Sequence, residues 1–123
     1  MSNCNCVKII NWSDSISVNK VNGLFVLNNP VFIDFTCNND NFRITVDKGA
    51  MTDGLSVPKI FQWYLPAWDK DNVLYNIAGI CHDGMYGSEL VSKELADEIF
   101  YQGLLKAGIS KSKATMAKWA VEH

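Results

Sequence analysis

The periodicity of this chain changes once, near its middle, and that change limits the folds open to it. Asparagine crowds the first third (Asn3, Asn5, Asn11, Asn19, Asn22, Asn28, Asn29, Asn38, Asn39, Asn41) and then nearly disappears. Asparagine favours turns and tolerates left-handed backbone, so short strands joined by tight loops are expected there. Between the loops lie runs suited to strands: Val7 to Ile10, Leu24 to Leu27, Val31 to Phe35 and Phe42 to Val46. Phe42-Arg43-Ile44-Thr45-Val46 alternates apolar and polar residues, as a strand with one wet face does. Val31-Phe32-Ile33-Asp34-Phe35 alternates less cleanly, which fits cover on both sides.

From about residue 58 the pattern becomes helical. Pro58 suits the first turn of a short helix through Ile60, Phe61 and Tyr64, which Pro66 stops. Asp71 is placed to cap a helix from Asn72 to about His82, with Val73, Leu74, Ile77, Ile80 and Cys81 on a broad apolar face. Gly84 and Gly87 are expected to break it. Ser92 then caps a helix carrying Leu95, Ile99 and Leu105 that ends at Gly108. Ser110 opens a last helix with Met116, Trp119 and Ala120, where Trp119 is expected in the core. Strands followed by helices predict an α+β fold, an N-terminal antiparallel β-meander packed against three to four C-terminal helices. The length fits a single domain over 1–123, strand-rich to about residue 50 and helical over 58–123.

Composition closes off several functions. A formal charge of −2 leaves no electrostatic footprint for nucleic acid. No apolar run approaches the ~20 residues that span a bilayer. Met1-Ser2-Asn3-Cys4-Asn5-Cys6 lacks the basic segment and apolar core of a secretory signal, so a cytoplasmic location is expected. Without an export signal, Cys4, Cys6, Cys37 and Cys81 read as structural thiols, and Cys4-x-Cys6 is spaced too closely for a typical zinc pair.

Chemistry concentrates around Ile80-Cys81-His82-Asp83-Gly84-Met85-Tyr86, which holds the one internal histidine. Histidine and carboxylates bind metals and move protons near neutral pH. Asp97 lies on a helix face with Phe100, Tyr101 and Leu104, where a carboxylate must be paired, metal-bound or protonated. Lys93, one turn earlier, would make an ordinary ion pair with it; His82 or a metal is the other choice. His82-Asp83 by itself falls short of the HD phosphohydrolases, which need a further upstream histidine. In Met51-Thr52-Asp53-Gly54-Leu55-Ser56-Val57-Pro58, Asp53 or Ser56 would satisfy amides at a helix start, and that start would also hold an anion.

The order of these motifs is more specific than any one of them. Thr52-Asp53-Gly54-x-Ser56-x-Pro58, then His82-Asp83-x-x-Tyr86, then Ala96-Asp97 resembles the domain-of-unknown-function family 1353, from tailed phages and prophage-bearing bacteria. The resemblance covers roughly residues 20 to 108. One departure is Gly84, where many relatives carry a bulky residue such as tryptophan. The resemblance implies a phage or prophage origin and brings Asp53, Ser56, His82, Asp83, Tyr86 and Asp97 towards one site.

Three readings follow. In the first, a divalent cation (Zn²⁺, Mn²⁺ or Fe²⁺) held by His82, Asp83 and Asp97 activates water for hydrolysis. His82, Asp83 and Asp53 would then be catalytic, with Ser56 and Tyr86 binding ligand. In the second, the residues form a structural network, and the protein is a virion-associated or interaction module. Phage or host proteins would dock on Trp63, Tyr64 and Trp68. A third reading, ligand binding against host defence, would use Ser56 and Lys59 to take a phosphate.

Overall fold

The computed structural model describes residue 4, residues 6–54, 65–86 and 91–122. Six strands precede three helices among the described residues: β1 (Val7–Trp12), β2 (Val18–Val21), β3 (Leu24–Leu27), β4 (Val31–Cys37), β5 (Asp40–Val46), β6 (Met51–Thr52), α1 (Val73–Tyr86), α2 (Lys93–Lys106) and α3 (Lys111–Glu122). This is an α+β arrangement, as the change of periodicity predicts. The strands divide into two antiparallel sheets, ordered β1-β4-β5 and β2-β3-β6. The short helix expected from Pro58 lies outside the described residues.

The turns follow from asparagine and glycine. Asn22 and Gly23 both take positive φ between β2 and β3, the pairing a type I′ hairpin demands. Asn38 and Asn39 do the same between β4 and β5. The β4–β5 hairpin sets Val31 opposite Val46 and Ile33 opposite Ile44. Val31, Ile33, Phe35 and Cys37 then fall on one buried face. The intervening Phe32, Asp34 and Thr36 are half-buried. Cover on the second face of β4 is therefore partial, with the Arg43 guanidinium 3.9 Å from the Phe32 ring centroid.

The inner face of the β1-β4-β5 sheet packs against α1 and α2 through Ile77, Ile80, Cys81 and Ile99. Burying an Ile or Phe such as Ile33 or Phe35 contributes roughly 2–3 kcal/mol. A second apolar cluster joins the helices, with Tyr75, Phe100, Leu104, Ala114 and Ala117 at its centre. Only small residues of α3 are buried, so Trp119 is turned outward and is 54% exposed, contrary to the core position expected for it.

Helix ends differ by small amounts from the sequence expectation. Asn72, not Asp71, caps α1: its Oδ1 accepts from the Tyr75 amide at 3.1 Å, and its Nδ2 donates to the Ala107 carbonyl at 3.0 Å. The helix continues through Gly84 to Tyr86. Ser92 caps α2 by accepting from the Leu95 amide at 3.2 Å. At its other end Gly108, at φ 92°, donates to the Leu105 carbonyl while Ile109 donates to that of Leu104.

Cysteine chemistry splits. Cys4 and Cys37 form a disulfide across 33 residues, which corrects the expectation of four structural thiols. Closing a loop of that length stabilises by roughly 3–4 kcal/mol through the unfolded state. Cys81 is a buried free thiol as expected, and burial pushes its pKa up to about 12.

Candidate functional site

The consecutive helices α1 and α2 pack together, and each brings one polar side chain into the contact. His82, near the end of α1, and Asp97, in the second turn of α2, are both buried. His82 Nε2 and Asp97 Oδ1 are 2.8 Å apart, and each side chain is only 3% exposed. A carboxylate oxygen can only accept, so Nε2–H is the donor. The Phe100 ring lies against the imidazole, centroids 4.6 Å apart, and excludes water on that side.

Both partners proposed for Asp97 from the sequence are present together. Its second oxygen, Oδ2, accepts from Lys93 Nζ at 2.9 Å. Lys93 is half-exposed and also reaches the Val121 carbonyl of α3 at 3.4 Å. A buried carboxylate is costly unless its lone pairs are engaged. Here one oxygen meets a buried imidazole and the other a cation held at the surface.

Asp83 follows His82 along α1 and therefore points to a different face, toward the strands. Its Oδ2 accepts from Thr52 Oγ1 at 2.8 Å. The same hydroxyl oxygen accepts from the Gly54 amide at 3.0 Å. Gly54 sits at φ 86°, and a Cβ there would meet the Ala67 carbonyl oxygen at 2.2 Å, so no other residue fits. The Thr-Asp-Gly turn thus fixes a hydroxyl that joins the strand-rich half to the end of α1.

The structure brings His82 and Asp97 together, while Asp83 faces Thr52 on another side of α1. Asp53 is exposed just beyond β6. Ser56, Trp63, Tyr64 and the Tyr86 side chain lie outside the described residues. Trp68 is half-buried and stacks on Phe25 with centroids 4.3 Å apart. No group of three His, Cys, Asp or Glu side chains is placed to hold a metal ion among the described residues. Thr52 as the partner of Asp83 is a contact the sequence does not announce, whereas Lys93 and His82 were each expected as a partner of Asp97 and both are found. A hydroxyl next to Asp-Gly was the available signal for Thr52, but a turn residue gives no indication of a partner far along the chain.

A family model described as a protein of unknown function (DUF1353) matches residues 30–121. The chain belongs to this family. The match runs from β4 to the end of α3, so it takes in His82, Asp83, Asp97 and Lys93. No curated protein matches the chain, and no solved structure does. No helix among the described residues is long and apolar enough to cross a membrane.

Proposed function

We propose that this DUF1353 protein is a small hydrolase in which His82 is the general base and Asp97 orients it. The buried 2.8 Å contact between Nε2 and the carboxylate carries the reading. A carboxylate held against one ring nitrogen fixes the plane and orientation of the imidazole. In this reading the His82 imidazole removes a proton from water as the water oxygen attacks the substrate's acyl or phosphoryl centre. The proton then passes to the leaving group. Lys93 holds the second Asp97 oxygen and so keeps the carboxylate from rotating away. The bond from Thr52 fixes Asp83, the next residue of the same helical turn, against the strands.

A metal-dependent form of the same reading uses His82, Asp83 and Asp97 as ligands, and it requires His82 and Asp97 to exchange their mutual contact, and Asp83 to turn from Thr52, for the ion. Stoichiometric divalent metal in purified protein, lost in His82→Ala, is its signature. The family resemblance supports a phage or prophage setting, in the host cytoplasm or on the virion.

The test is turnover of chromogenic esters, peptides and phosphodiesters, with and without added Zn²⁺ or Mn²⁺. His82→Asn keeps much of the ring's shape and removes the base. It is expected to lower turnover by about 10²–10⁴-fold with the circular dichroism spectrum unchanged. The near-complete burial of His82 favours a second reading, a structural clasp for a virion-associated or ligand-binding protein. Wild-type protein inert across the panel, with His82→Asn lowering only thermal stability, would replace the first reading by that one.

A further inference from the structure

Three of the four cysteines gather at one end of the β1-β4-β5 sheet. The pairing of Val7 with Cys37 brings the chain before β1 alongside the end of β4, where Cys4 and Cys37 are joined. The Cys6 carbonyl accepts from the Asn38 amide at 3.1 Å, which extends the β1–β4 ladder by one residue, and it lies 3.5 Å from the Cys4 sulfur. The three differ in surroundings. Cys37 is buried, Cys4 is half-buried, and Cys6 is a free thiol in the open. Neighbouring residues of a strand face opposite ways, so buried Val7 points inward and Cys6 outward. The other free thiol, Cys81, is buried with its pKa pushed up to about 12, so it is no rival nucleophile.

We propose that these residues form a thiol–disulfide exchange centre, in which Cys6 opens the Cys4–Cys37 bridge and so unlatches β1. A disulfide breaks when a thiolate attacks one of its sulfurs, and access decides which sulfur is attacked. Cys4 is the more accessible end of the bridge, and one residue separates it from Cys6. The Cys6 thiolate attacks the Cys4 sulfur. The Cys4–Cys6 bond forms as the Cys4–Cys37 bond breaks, and the electron pair leaves on the Cys37 sulfur. That sulfur takes up a proton in place of the one Cys6 gave to solvent, because burial disfavours a thiolate. One disulfide and one thiol stand on each side of the step, so no oxidant or reductant is consumed. The free thiol moves from an exposed position to a buried one. The hydrogen bond between Asn38 and Cys6 must open before the outward Cys6 side chain can reach Cys4, so fraying at the start of β1 is the trigger. Val7 and Ile9 of β1 share a core cluster with Leu95 and Ile99 of α2, so loosening β1 reaches the helix that carries Asp97.

The proposal goes beyond the hydrolase reading and does not rest on it, since the exchange uses none of His82, Asp83 or Asp97. The full chain, purified without reductant, is held at mildly alkaline pH with and without sub-denaturing urea. Samples are trapped with N-ethylmaleimide, digested with trypsin and read by mass spectrometry. Among Cys4, Cys6 and Cys37, the label is expected first on Cys6, with the amino-terminal peptide cross-linked to the one holding Cys37. With time the label should move to Cys37 as a Cys4–Cys6 bond appears within one peptide, faster in urea and at a rate independent of protein concentration. Cys6→Ser should slow labelling of Cys37 at least about tenfold. Cys4→Ser removes the bridge from its half-buried end and leaves Cys37 in place, and amide hydrogen exchange over residues 7–12 should then be faster than in the parent. Label that stays on Cys6, equal labelling of Cys37 in Cys6→Ser, or a rate that rises with protein concentration would overturn the exchange. Undiminished protection of residues 7–12 in Cys4→Ser would overturn the latch.

Discussion

Two carboxylates, Asp97 in the helical half and Asp34 in the sheet, make nearly the same contact in opposite surroundings. Asp97 meets His82 at 2.8 Å and Lys93 at 2.9 Å, with both His82 and Asp97 side chains 3% exposed. Asp34 meets Arg43 through two hydrogen bonds, and the Arg43 side chain is 54% exposed. On the sheet, water can replace either partner at little cost. Between the helices both side chains are buried, and removing one costs the other a partner that solvent does not readily replace. A pair kept at such a cost is informative about function in a way that a surface pair is not.

The largest effect is therefore expected at Asp97. Asp97→Ala leaves the buried imidazole without its acceptor and should destabilise the fold by about 3 kcal/mol. Urea denaturation checks it. A loss under about 1 kcal/mol, of the size usual for surface pairs, would erase the contrast between the two regions. Thr52→Val comes next. It keeps the side chain's shape but withdraws the hydroxyl from half-buried Asp83 and from the Gly54 amide, at a cost of about 1–2 kcal/mol. The same denaturation series measures it. An unchanged midpoint would mean that Asp83 draws its support elsewhere.

How much of this was legible in the sequence follows from the same physics. Residues with a period open to them announced themselves: β3, β4, β5 and the start of α2 lie where apolar spacing and the cap place them, and α1 starts one residue later than its expected cap places it. β2 and β6 did not. Val18–Val21 has no buried residue, and β6 is a two-residue strand, so neither carries a core-facing pattern. Helix α1 passes through Gly84 because packing on the strands outweighs the glycine's modest helix penalty. Asp97 was legible as a carboxylate on an apolar face, which narrowed its partners to Lys93, His82 or a metal. That Lys93 and His82 both bind it, one on each oxygen, depends on how α1 packs on α2. No local pattern encodes that packing. The Cys4–Cys37 bridge was hidden for the same reason: pairing Val7 with Cys37 brings the thiols near, and only the register reveals it.

The smallest effect belongs to the sheet pair, and pH resolves it into parts. Hydrogen bonds from Arg43 hold the Asp34 carboxyl below its ordinary value of 3.8, partial burial opposing them. A group whose pKa is depressed by folding contributes stability above its unfolded value and loses it as pH falls through the folded one. Arg43→Gln should thus be less stable than the parent by a constant small margin from neutral pH down to about pH 4, and the margin should shrink below that. It should not vanish. The Arg43 guanidinium also lies 3.9 Å from the Phe32 ring centroid, and that packing has no proton to lose. Urea midpoints for both proteins across this range separate the two contributions. A margin that grows on acidification would contradict the sign, because it would require Asp34 to be stabilised in its protonated form by Arg43.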